Sequence, residues 1–254
     1  MFEGYQSQLP EPVEADGKFD IYVFATRAQW DAYTKQLVGS AAAVYLKIKA
    51  GAYYFDGKCV AYNIGLSRTA SVLGHEGWHQ FNNKCFAYRL PSWLDEGIAT
   101  LFESPVYENG RWKFSTDRNM GRLGSLKFVM LKGKSIPIRE LIAFNPGQAI
   151  MDGDEAIMGF YAQSYAMVRF LREDDYGLRL GNYHQMLLGA LNGTWSADEN
   201  LRQMADKAEP MTTTWNSYMA TKLFNRYIGS DFYSLEKQYK IFCGKITYRV
   251  RVGK

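Results

Sequence analysis

The hydrophobic and polar positions of this chain change period along its length. The first third is dominated by short, mostly apolar runs of strand length. Residues 19–24 read as a strand, and Thr26 then caps a helix that carries Trp30, Tyr33 and Leu37. Residues 52–55 and 58–62 flank Asp56-Gly57, a dipeptide that closes two-residue hairpins. From residue 67 the spacing turns helical: Ser67, Thr69 and Ser71 offer capping hydroxyls, Val72, Leu73, Trp78 and Phe81 follow, and Asn82-Asn83-Lys84 provides a stop. Gly74 and Gly77 each lower helix propensity by about 1 kcal/mol relative to alanine, so this helix must draw on tertiary packing or a ligand. Gly77 reads as a position of close approach. A second helix is expected over residues 90–103, with Pro91 in its first turn and Ser104-Pro105 closing it. Trp93, Leu94, Ile98, Ala99, Leu101 and Phe102 cover much of its circumference, which predicts burial.

Beyond this pair, Asn109-Gly110 marks a hairpin within residues 106–114. Helical patterns follow near residues 118–131, 138–144, 159–172, 183–191, 197–207 and 212–224. Residues 246–252 alternate strictly, as a half-buried strand does. These periods predict an α+β fold with a mixed N-terminal sheet and a mainly helical C-terminal half. Residues 1–228 are expected as one domain: a sheet-rich part at 1–66, two central helices at 67–104 and a helical part at 115–228. A strand-containing tail is expected at 229–254.

Composition narrows the class. At 254 residues, 47% hydrophobic and 15% aromatic, the chain can bury a sizeable core. A net charge of +4 from 30 basic and 26 acidic residues is too weak and dispersed to suggest nucleic acid or a membrane surface as partner. The longest apolar run, residues 39–46, falls far short of the roughly 20 residues that cross a bilayer, so no transmembrane segment is expected. The start of the chain lacks the charged region and apolar core of a signal peptide. It is expected to be either cytoplasmic or a mature segment from which an export signal has been removed. Cys59, Cys85 and Cys243 are odd in number and lack paired metal spacing, which argues against a disulfide framework while leaving a single bridge open.

Candidate chemistry concentrates in His75-Glu76-Gly77-Trp78-His79. Positions four apart stack on one face of a helix, so two imidazoles there can share one metal ion. Glu76, on the same turn, is placed to act as general base toward a zinc-activated water. The chain has three histidines, and two of them fall in this pattern. A catalytic zinc usually takes three protein ligands and keeps a fourth position open. His184, the remaining histidine, lies more than a hundred positions beyond His79, and a carboxylate is the better third ligand. Asp95, Glu96 and Glu103 compete for that role on the second helix. Spacing alone does not choose between Asp95 and Glu96.

Resemblance does. Trp93-Leu94-Asp95-Glu96-Gly97-Ile98-Ala99 is similar to the Trp-Leu-x-Glu-Gly-hydrophobic-Ala signature of the gluzincins, metallopeptidases whose glutamate ligand lies on a helix after the His-Glu-x-x-His helix. More narrowly, His75 to Gln80 followed by Leu90-Pro91-Ser92-Trp93-Leu94 resembles a largely uncharacterised bacterial family with a peptidase-MA-like domain. The resemblance implies a zincin-like fold in which His75, His79 and Glu96 bind one Zn2+ ion and Glu76 is the catalytic base. It also implies a phenol for the developing oxyanion: Tyr161-Ala162-Gln163-Ser164 resembles the Tyr-x-x-small segment of M1-type enzymes. Tyr161 is therefore the second expected catalytic residue, with Tyr165 in reserve, because a neutral phenol can donate to charge that appears only in the transition state.

The expected activity is zinc-dependent hydrolysis of a peptide or protein substrate, endopeptidase rather than aminopeptidase. The interval from His79 to Glu96 is shorter than in M1-type aminopeptidases, and residues 60–65 do not match their Gly-x-Met-x-Asn segment. By analogy with zincins, residues 60–64 are expected as an open strand edge on which peptide backbone lies. The family resemblance favours an exported protein over a cytoplasmic one. Two alternatives use the same residues: a zinc hydrolase of a non-peptide amide or ester, and a non-catalytic binding module, against which an intact Glu76 argues. Thr100 and Glu103 are candidates to orient a metal ligand, with neither assigned.

Overall fold

The computed structural model describes residues 1–15, 17–48, 51–195, 199, 203, 205 and 212–251. The chain divides into two compact units, Met1–Cys85 with Leu101–Thr116, and Phe86–Thr100 with Asp117–Lys254. The fold is α+β and mainly helical, with two small sheets.

The first unit holds helices α1 (Phe2–Gln6), α2 (Arg27–Val38), α3 (Ala42–Tyr45) and α4 (Leu66–Cys85). Strands β1 (Asp20–Phe24), β2 (Ala52–Phe55) and β3 (Lys58–Tyr62) form a mixed sheet in the order β1-β3-β2, parallel between β1 and β3 and antiparallel between β2 and β3. At the hairpin Asp56 and Gly57 adopt φ of 44° and 77°, the left-handed pair a two-residue loop requires. Thr26 caps α2 as the spacing predicts, in a capping box with Gln29. Trp30 of α2 is wholly buried with Tyr53 and Val60, and its Nε1 donates to the Val60 carbonyl at 3.3 Å. Helix α4 packs on β2 and β3. A second hairpin, β4 (Pro105–Glu108) with β5 (Arg111–Phe114), turns at Asn109-Gly110.

One expectation fails here. The strand before α4 is the centre of the sheet and not its edge, because Cys59, Val60 and Ala61 are all buried and both faces are covered. Its backbone is paired on both sides, and Asn63 N–H beyond it donates to the Phe24 carbonyl at 2.9 Å. The outer strands of this sheet are β1 and β2.

The second unit contains α5 (Ser92–Ala99), α6 (Met120–Leu131), α7 (Ile138–Ala143), α8 (Pro146–Asp152), α9 (Asp154–Glu173), α10 (Leu180–Leu191), α11 (Thr213–Tyr227) and α12 (Phe232–Thr247). Helix α9 is its axis, packed by α5, α6, α7, α8, α10 and α12. Over residues 159–171 every residue but Tyr161 is buried, the pattern of a helix enclosed on all sides. Helix α5 meets α9 at Gly97, where a β-carbon would lie 2.6 Å from the Ser164 carbonyl oxygen and 2.7 Å from Val168 Cγ2. Its start is capped from a distance. Pro91 supplies no capping side chain, and the buried Asn216 of α11 accepts from Ser92 N–H at 2.8 Å while donating to the Ala143 and Phe144 carbonyls at 3.0 Å.

Boundaries shift for local reasons. The α-helix expected over 90–103 ends at Ala99, where the Thr100 hydroxyl donates to the Gly97 carbonyl at 2.6 Å and the chain tightens into a 3-10 turn, Thr100–Phe102. Helix α9 begins before the expected residue 159, with Asp154 and Glu155 in its first turn, where helix polarity favours acids. The helix expected at 197–207 lies largely outside the described residues. The terminal strand expected at 246–252 is not formed among the described residues. Leu235, Tyr239, Phe242 and Cys243 are buried at helical spacing in α12, and the carbonyls that follow are taken by Lys127, whose Nζ donates to Thr247 at 3.3 Å and Val250 at 2.7 Å. Helix α12 packs on α6, α7 and α9, so the segment expected as a tail is part of the second unit. None of the three cysteines is in a disulfide, and burial pushes the Cys243 thiol up to about 12.

Gly97→Ala is expected to lower stability by about 1–3 kcal/mol, because the added carbon overpacks the α5–α9 crossing. Urea unfolding measures it; an unchanged midpoint would contradict the close approach at this position.

Candidate metal centre

Helix α4 presents two kinds of surface. Ala70, Gly74, Gly77, Trp78 and Phe81 are buried, whereas His75, Glu76 and His79 are partly exposed. The buried side is unusually close to its neighbours. A β-carbon at Gly77 would collide with the hydroxyl of Tyr5, and one at Gly74 with the carbonyl oxygen of Phe102. Both glycines therefore trade helix propensity for approach. Tyr5 donates to the Gly74 carbonyl at 3.0 Å, and burial, with the charges of Cys59 and Glu76 adding to it, pushes its phenol well above the usual range. It stays a neutral donor. Gln80 anchors the same helix to the sheet, donating to the carbonyls of Asp20 at 2.9 Å and Gly57 at 2.7 Å.

The approach at Gly74 has a chemical result. With the Phe102 carbonyl against the helix, the next residue, Glu103, lies beside His75. Glu103 Oε1 is 2.9 Å from His75 Nδ1, in a pair whose side chains are 12% and 15% exposed for His75 and Glu103. Ser71 Oγ donates to the Glu103 carbonyl at 2.6 Å and fixes its backbone. An ionised carboxylate only accepts, so the form of His75 that makes this hydrogen bond carries a proton on Nδ1, and in the neutral ring Nε2 is then the nitrogen able to ligate. Of the two orienting candidates, Glu103 is the one on a histidine; the Thr100 hydroxyl is spent on the Gly97 carbonyl. Sequence pattern could not separate them, because the contact depends on where the 3-10 turn releases the chain.

His75 and His79 lie with ring centroids 5.0 Å apart at 72°. One ligand atom each from His75, His79 and Glu96 lies within 4.8 Å of the others, a group able to hold a metal ion. Neither Asp95 nor His184 is in that group. Over residues 90–102 all are buried except Asp95 and Glu96, and Glu96 Oε2 is itself shielded from solvent. A shielded carboxylate oxygen near two imidazoles is the setting in which a cation offsets the cost of burying charge. Two nitrogens and a carboxylate suit a borderline divalent ion such as zinc.

The two tyrosines differ sharply. Tyr165 is wholly buried and accepts from Arg169 Nη1 at 3.0 Å; burial pushes its phenol up to about 12 despite the opposing charge of Arg169. It belongs to the core of its unit. Tyr161 is partly exposed, with the Arg122 guanidinium carbon 4.8 Å from its ring centroid. Arg122 was invisible in the sequence, since nothing in its neighbourhood marks it.

Glu96→Ala is expected to abolish stoichiometric metal binding while Asp95→Ala retains it, as read by elemental analysis after dialysis; equal metal in both would remove Glu96 from the ligand set. Glu103→Ala should weaken metal affinity by roughly 10- to 100-fold in chelator competition, the range typical of a lost partner to a ligating histidine. No family model matches this chain, and no curated protein is similar enough to it to count as a relative.

Proposed function

We propose that this protein is a zinc-dependent peptidase that cleaves within polypeptide chains. The observation that carries the reading is the convergence of His75, His79 and Glu96, with Glu76 on the same helix turn as the two imidazoles. His75, His79 and Glu96 hold the ion, and Glu103 keeps the His75 ring in the ligating tautomer and orientation. When bound, zinc polarises the scissile carbonyl and brings the pKa of its water toward about 7.

The protein's own groups do the rest. Glu76 accepts a proton from the attacking water as the oxygen–carbon bond forms. It then delivers that proton to the leaving nitrogen as the carbon–nitrogen bond breaks, so the general base ends the cycle unprotonated. Tyr161 donates a hydrogen bond to the oxygen that becomes negative on attack, an interaction stronger in the transition state than in the bound substrate. Zinc binding alone would not require Glu76, which favours a hydrolase over a module that only binds.

Glu76→Gln tests the assignment. Against fluorescein-labelled casein the zinc-loaded variant is expected to lose at least about 10²-fold in rate, the scale of a lost general base, while its zinc content stays stoichiometric. Turnover equal to the unaltered protein would remove Glu76 as base.

A further inference from the structure

From the geometry of the second unit we infer that Arg122 is a positioning residue for Tyr161, holding the phenol ring so that its hydroxyl meets the oxyanion. The inference deepens the peptidase reading and rests on it for its catalytic purpose. Three observations carry it. Tyr161 is the one residue of 159–171 that is not buried, and its ring meets Phe160 edge-on with centroids 5.5 Å apart, which leaves one face for a further contact. The guanidinium of Arg122 lies over that ring, 4.8 Å from the centroid, within the range of a cation–π contact. And Arg122 sits in the first turn of α6, where a partly buried planar cation can grip an aromatic face that a flexible ammonium would hold less firmly.

The position of Arg122 is itself tied to the helix that carries Glu96. Asn119 caps α6, its Oδ1 accepting from Arg122 N–H at 3.2 Å, and its Nδ2 donates to the Thr100 carbonyl at 2.9 Å. Thr100 in turn closes the end of α5 through Gly97. Asn119 is buried, so this bracket is shielded from water. Helices α5 and α9 meet directly at Gly97 and Ser164, one residue from Glu96 and one turn from Tyr161. Glu96 and Tyr161 are thus linked twice, once by helix packing and once through Thr100, Asn119 and Arg122. Packing locates the α9 backbone; the second link adds a contact on the face of the Tyr161 ring itself.

The test places 3-fluorotyrosine at position 161 by codon suppression and records its fluorine resonance in the zinc-loaded protein and in Arg122→Leu and Arg122→Lys. Arg122→Leu is expected to shift the resonance, with Arg122→Lys, which keeps a cation above the ring, lying nearer the parent. With an unmodified tyrosine at 161 and a fluorogenic peptide cleaved by the parent, Arg122→Leu should lower kcat on the order of tenfold with KM within about twofold, the signature of a misplaced transition-state donor. Arg122→Lys should recover part of kcat. Circular dichroism and zinc content, expected unchanged, separate this from unfolding. An identical fluorine resonance in Arg122→Leu overturns the inference whatever the activity. So does a shifted resonance with unchanged kcat. Loss of zinc or helix content in both Arg122 variants assigns Arg122 to the fold and overturns the positioning role. A shifted resonance with no cleavage of casein or peptide by any form, the parent included, overturns the peptidase reading and with it the catalytic purpose of the contact.

Discussion

The absence of a side chain at Gly74 is the constraint on which the site's order depends. With any larger residue there, the Phe102 carbonyl could not lie against α4, and Glu103 would not reach His75. A histidine on a helix surface has several rotamers and two possible tautomers. The carboxylate selects one of each, and Ser71 holds the backbone from which that carboxylate extends. The helix loses about 1 kcal/mol of propensity at the glycine, a modest cost for an imidazole held against a fixed carboxylate.

The same device recurs. Gly77 admits the Tyr5 hydroxyl, which ties α1 to α4 through the Gly74 carbonyl, and Gly97 admits α9 against α5. In each case a candidate residue lies one position from the glycine: His75 beside Gly74, Glu76 beside Gly77, Glu96 beside Gly97. Close backbone contact is stiffer than contact between long side chains, because there are fewer torsions to relax.

Burial sets the candidate residues apart within each unit. Along α5 the residues between 90 and 102 left partly exposed are Asp95 and Glu96; along α9 between 159 and 171 it is Tyr161; on α4 the histidines and Glu76 are partly exposed while Trp78 and Phe81 are enclosed. Polar groups at the edge of a dense core sit where water is scarce and a path to solvent remains. Such surroundings strengthen interactions with a cation or a developing charge.

Much of this was readable from the chain. The two hairpins were legible because Asp56-Gly57 and Asn109-Gly110 carry the left-handed conformations their loops need. The helices α4, α5 and α9 were legible from apolar spacing, and the triad His75, His79 and Glu96 from motif spacing together with resemblance. These are local properties, set by backbone geometry and by residues a few positions apart. Three features were not local and needed the tertiary structure. The centrality of β3 depends on β1 arriving in parallel from another part of the chain, although the unbroken apolar run Cys59-Val60-Ala61 was a sign of it. The terminal helix depended on partners: alternation at 246–252 suits a strand only where a neighbouring strand exists, and here Lys127 takes the carbonyls instead. The choice of Glu103 over Thr100, and the stacking of Arg122 on Tyr161, depended on where turns release the chain in space. The sequence by itself determined which residues carry side chains able to ligate a metal ion, because that is chemistry at helical spacing; only the tertiary structure decided which groups lie against them, because those contacts come from residues distant in the chain.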